Sequence, residues 1–135
     1  MATDIGPKIG VQGESEFKKQ ISSINQNLKT LSAETKAVTS AFIGNENSME
    51  ALTAQSELLA AKSDALNNKL DAQKARLKQL DESGIDPTSA SYQKLLQDMY
   101  NTEAALNKNE AELKQTKTAM DNLGKETDDT AKSFV

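Results

Sequence analysis

From Glu16 to Phe42 the chain reads EFKKQISSINQNLKTLSAETKAVTSAF, and its apolar residues return at alternating intervals of four and three. Phe17, Ile21, Ile24, Leu28, Leu31, Val38 and Phe42 share that register, and Thr35 interrupts it. A repeat of 3.5 residues per turn keeps a narrow stripe facing its neighbour only when helices wind about each other. The spacing therefore predicts a long helix of coiled-coil character. A second stretch continues the pattern with Met49, Leu52, Leu59, Leu66, Leu70, Leu77 and Leu80, and Ser56, Ser63 and Gln73 fill the remaining places. A third carries Tyr92, Met99, Leu106, Leu113 and Met120 at intervals of seven, with Leu95, Thr102, Asn109, Thr116 and Leu123 in the companion row.

Breaks between the stretches carry helix punctuation. Acids at Glu14 and Glu16 suit the positive end of a helix dipole. Gly44 suits a left-handed C-cap, and Asn47 with Glu50 three residues on spells a capping box. Gly84 is a second C-cap, Ile85 can fold back onto the last turn, and Asp86-Pro87 reads as a cap with Pro in the first helical turn. The expected helices run over 14–43, 47–82 and 87–123, about 42, 54 and 57 Å long at 1.5 Å per residue. Ahead of them, residues 1–13 contain IGPKIGVQG. Its KIGVQ run alternates, so this arm is either a short strand needing a partner or disordered. After Gly124, residues 125–135 read as a polar tail with no natural stop, as expected of a piece of a longer chain.

Isolated helices of this composition are marginal in water, so the seams must be buried. Short connections favour antiparallel neighbours within one chain, as a helical hairpin or three-helix bundle. Self-association through the same seams is the competing arrangement. The fold class is all-α in either case. Asn109 and Thr102 within the seams either set register or mark a loosely packed stretch. Met49, Met99 and Met120 read as seam filling.

Composition narrows the chemistry. Of 135 residues, 36% are hydrophobic and 4% aromatic, with no Trp, which is enough for stripes but not for a broad core. There is no His and no Cys, so imidazole bases, thiol nucleophiles and the commonest transition-metal ligands are missing. Neither an apolar run long enough to span a bilayer nor a secretory leader appears. The net charge is −4, and fifteen Lys and one Arg alternate with twenty acids. Nucleic-acid binding asks for clustered cations, often with stacking aromatics, and that pattern is missing. Glu110 with Glu112 and Asp128 with Asp129 are the carboxylate pairs available for acid–base or metal work. Residues two apart on a helix point to different sides, and the second pair lacks a Gly-spaced calcium loop. With no phosphate cradle and no nucleophile elbow either, the expectation is a non-enzyme without metal or cofactor.

The wording goes further than the periodicity. KIGVQGESEFKKQISSINQNLKTLSAETKAVTSAF, then NSMEALTAQSELLAAKSDALNNKLDAQKARLKQL, then SASYQKLLQDMYNTEAALNKNEAELKQ resembles the N-terminal region of tail tape measure proteins of bacteriophages and prophages. The likeness runs from Lys8 to Leu123. Its specific parts are the lead-in from Ile9 to Glu14, the Glu-Phe-Lys-Lys run from Glu16 to Lys19, and ALTAQSELL from Ala51 to Leu59.

The resemblance implies a virion structural protein inside the tail, whose length sets the length of the tail tube during assembly. It implies copies of the chain itself, the tail tube protein and tail assembly chaperones as partners. It places the protein in the host cytoplasm first and the virion afterwards. Family members are usually far longer. Their apolar Gly-rich segment and cell-wall hydrolase domain have no counterpart in these residues, so membrane penetration and peptidoglycan cleavage are not carried over. As one unbroken helix, this chain would reach about 200 Å. The breaks at Gly44 and at Gly84 with Pro87 depart from such a rod. A bacterial coiled-coil adaptor or scaffold and a helical secreted effector are the rival readings.

Overall fold

A computed structural model describes the backbone of residues 5–133 and the side chains of residues 13–125. It consists of three helices, α1 (Ile5–Ala41), α2 (Met49–Ser83) and α3 (Ala90–Ser133), which span about 56, 53 and 66 Å at 1.5 Å per residue. No strand occurs among the described residues. The chain is all-α, as the periodicity predicts.

α2 is the middle element. Both α1 and α3 pack along it, whereas no Cα of α1 comes within 8 Å of one in α3 among the described residues. Contacts fix the registers. Gly13 of α1 lies over Arg76 and Gln79 of α2, and Tyr92 and Asn109 of α3 bond to Asp81 and Ser63 of α2. Each flanking helix is therefore antiparallel to α2, as short connections require. Continuing the α2–α3 register places Met49 near Leu123, so the last turns of α3 run past the start of α2.

Helix limits differ from expectation in four places. α1 begins at Ile5, not Glu14, so the arm is helical over residues 5–13 and is not a strand. A lone strand finds no sheet to join, and Pro7 falls in the first turn, where its missing N–H costs nothing. α2 is capped by Ser48 and not by Asn47. Two successive turns close Asn45 N–H on Phe42 O and Ser48 N–H on Asn45 O, so winding starts only after Ser48. Its Oγ then accepts the Ala51 N–H at 3.2 Å.

α3 begins at Ala90, not Pro87, because the Asp86 carboxylate is committed to a turn. That carboxylate accepts both the N–H and the hydroxyl of Thr88 (2.9 and 2.8 Å), and Ser89 N–H closes on Asp86 O. α3 also continues through Gly124 to Ser133, where a polar tail was expected from residue 125. Gly124 keeps a helical φ, and the left-handed glycines are Gly44 and Gly84. Residues 1–4 of the expected arm and 134–135 of the expected tail lie outside the described residues.

The corner between α2 and α3 follows its sequence signature. Gly84 has φ +78° and donates to Asp81 O, while Ile85 N–H reaches back to Leu80 O at 3.3 Å. This pair of bonds is the Schellman stop, and it brings Ile85 down onto the core as its hydrophobic partner.

Candidate functional site: the helix-packing seams

The core is built where the four-three rows of α2 and α3 meet. Leu66, Leu70 and Leu80 interlock with Leu95, Met99 and Leu106, and Phe17, Leu28, Leu77, Ile85 and Tyr92 pack around them. Of the predicted seam residues, Leu31, Leu52, Leu66, Leu70, Leu80, Met99 and Leu106 are buried. Phe17, Ile21, Ile24, Leu28, Val38, Phe42, Leu59, Leu77, Tyr92, Leu113 and Met120 are half-buried. Met49 is exposed at the start of α2 and fills no seam. Seen by helix, the division is uneven: among the described residues the α1 row contributes one buried residue, Leu31.

Polar seam positions sort into two kinds. Thr35, Thr102 and Thr116 donate their hydroxyls to the carbonyls of Leu31, Asp98 and Glu112 on their own helix (2.8–2.9 Å). Ser56 does the same to Thr53 O at 2.9 Å. A hydroxyl satisfied by its own backbone can be buried in any register. Asn109 cannot satisfy itself this way. Its Nδ2 reaches across to α2 and donates to Leu59 O at 2.7 Å and Ser63 Oγ at 2.8 Å, and both Asn109 and Ser63 are buried. Of the two residues suspected of setting register, Asn109 bonds across to α2 and Thr102 is self-contained.

A second cross-helix link lies one end away, where Tyr92 OH donates to Asp81 Oδ1 at 2.8 Å. That bond to a carboxylate, helped by some desolvation and by the negative charge itself, holds the phenol above its ordinary pKa. At the corners, the Thr88 N–H and hydroxyl lower the pKa of Asp86, and the Gly44 N–H lowers that of Glu46.

Sequence reasoning missed a second face of α2. Ala51, Ala65 and Ala72 are buried, and with half-buried Leu58 they recur every seven residues, continuing to Gln79 beneath Gly13. This is the face turned to α1. The signal was present at intervals of seven, but alanine adds little to an apolar stripe. Small residues let two helix backbones approach closely. The same face carries Arg76, which is buried and donates from Nη1 to Gln79 Oε1 at 3.2 Å. A Cβ at residue 13 would collide with this pair, standing 2.7 Å from Gln79 Oε1. Gln73 is the largest fully buried side chain among the described residues, at 2% exposure, and its Oε1 has no hydrogen-bond partner.

Among the described residues the candidate acids gather into no cluster. Glu110 and Glu112 stand exposed on α3, and the side chains of Asp128 and Asp129 lie outside the described residues. Among the described residues no cluster of three or more acids forms a metal site, and no helix is long and apolar enough to cross a membrane. A depression lined by Lys18, Lys19, Ser22, Ser23 and Gln26 belongs to successive turns of α1 alone and is outer helix surface, not a cleft. What the arrangement offers is packing surface in a defined register. Comparison with protein-family models, curated proteins and solved structures finds no match for this chain.

Proposed function

We propose that the chain is a structural protein, the N-terminal part of a phage tail tape measure protein, which helps to set tail tube length during assembly. The resemblance from Lys8 to Leu123, lead-in and first helix together, carries this reading. The fold supports it by compatibility. Almost all described residues lie in helix, and a helix converts residue count into length at a fixed rise. The named polar contacts serve packing and capping. Working partners on this reading are further copies of the chain, the tail tube protein and tail assembly chaperones. The site of action is the tail interior, after assembly in the host cytoplasm.

The test is tail length. Inserting about 35 residues of matching heptads into α3 after Lys108, in the reading frame that carries the chain, adds about 50 Å to each tail at the helical rise. Electron microscopy of purified particles measures this directly. Tails of unchanged length, or particles without tails in the parent lysate, refute the ruler. A parent reading frame that lies away from any tail genes supports the adaptor reading instead.

A further inference from the structure

We propose that the molecule opens in two stages: α1 swings away at the 42–48 corner while α2 and α3 remain closed as a hairpin. The inference goes beyond the tail reading and does not depend on it.

Three observations lead there. The core cluster is made of α2 and α3 residues alone, and α1 touches it only through half-buried Phe17 and Leu28. The α2 face that receives α1 carries Ala51, Ala65 and Ala72 beside Leu58, Arg76 and Gln79. The α1 row that meets it is half-buried at Phe17, Ile21, Ile24, Leu28, Val38 and Phe42 and buried at Leu31. Its side chains leave water less completely than the core leucines of α2 and α3, so releasing α1 costs less than parting the hairpin.

The two corners differ in the same sense. Beside Gly84, Ile85 is folded onto the core, and Gln93 Nε2 ties α3 back to Pro87 O at 2.7 Å. Beside Gly44, Ile43 is 73% exposed and anchors nothing. The first corner can turn without extracting a core residue, and the second cannot. Finally, the Asn109–Ser63 and Tyr92–Asp81 bonds fasten α3 to α2 near the middle and at the corner end of their shared length. α1 is the releasable arm, and the α2–α3 hairpin is the fixed part.

Native-state hydrogen exchange on the intact chain separates the stages, because segments that open independently exchange independently. The slowest amides of α1 are expected to exchange at least about tenfold faster than the slowest of α2 and α3. A smaller gap overturns the proposal. A core variant gives a second, sharper readout. Leu106→Ala weakens the hairpin equally whether α1 is docked or released. It should speed the slow amides of α2 and α3 and leave those of α1 at their wild-type rate. Equal acceleration in all three helices means a single cooperative unit and overturns the proposal. Should Leu106→Ala fail to fold, Met99→Leu in the same layer serves for the same comparison, beside the wild-type measurement. Tail length plays no part in either readout, so failure here and failure of the ruler are told apart.

Discussion

Replacing Asn109 by Ala removes a buried seam side chain that bonds from α3 across to α2. Two hydrogen bonds are lost, to Leu59 O and Ser63 Oγ, each worth about 1 kcal/mol net. The Ser63 hydroxyl left behind can rotate onto the Leu59 carbonyl four residues earlier, which limits the penalty for unpaired groups. The expected loss is about 2 kcal/mol. For a chain of 135 residues, an unfolding entropy of about 2.1 cal/mol/K per residue converts this into a fall in Tm of roughly 7 °C. Urea and thermal unfolding followed by far-UV circular dichroism measure both. The double variant Asn109→Leu, Ser63→Ala separates stability from specificity. Removing both partners of a buried polar pair is close to neutral or stabilising, but it erases the register mark. This variant should keep or exceed wild-type stability while sedimentation shows mixed association states. A loss below about 0.5 kcal/mol in Asn109→Ala, or a double variant as unstable as the single one, refutes the reasoning.

Further outcomes follow from burial and backbone geometry. Leu106→Ala should cost about 2–4 kcal/mol in chemical denaturation, as core truncations do, while Tyr100→Ala, 64% exposed on the same helix, should stay within about 0.5 kcal/mol. Gly84→Ala, at φ +78°, should lose about 1 kcal/mol. Gly124→Ala lies in regular helix with open space around its Cβ and should instead raise helicity, by up to about 1 kcal/mol of local propensity. Tyr92 should ionise above its ordinary 10.0. The fold favours the neutral phenol, so stability from this bond is intact below pH 10.0 and disappears as pH rises through the raised value. Ultraviolet titration in a Tyr100→Phe background checks it, and Asp81→Asn should bring the midpoint back down.

Three helices, both glycine corners and the α2–α3 seam were legible because each rests on short-range chemistry. Apolar spacing announces a helix, Gly84 followed by Ile85 announces a Schellman stop, and Leu66, Leu70, Leu95 and Leu106 need only fall on one face to meet. Other features depended on where neighbours lie. Asn47 and Ser48 are both good caps, and only the turns closing on Phe42 and Asn45 decide between them. Asp86 is a good cap that Thr88 occupies first. Gly124 looks like a stop but takes a helical conformation. The alanine face of α2 went unread because burial of Ala65 and Ala72 reflects the closeness of α1, not their own hydrophobicity. Asn109 and Thr102 were indistinguishable in sequence. Their difference lies in the reach of an amide compared with a hydroxyl.

The central claim is that α3 folds back on α2 of its own chain in one register, marked by Asn109. Nuclear Overhauser spectroscopy on the isotope-labelled chain, paired with a mixed labelled and unlabelled sample, tests it most directly. The account predicts cross-peaks from the Asn109 side-chain amide to Ser63 and Leu59, and from the Tyr92 ring to Asp81, all within one molecule. Cross-peaks from Asn109 to Ser56, one heptad away, or cross-peaks appearing only between differently labelled molecules, would contradict it.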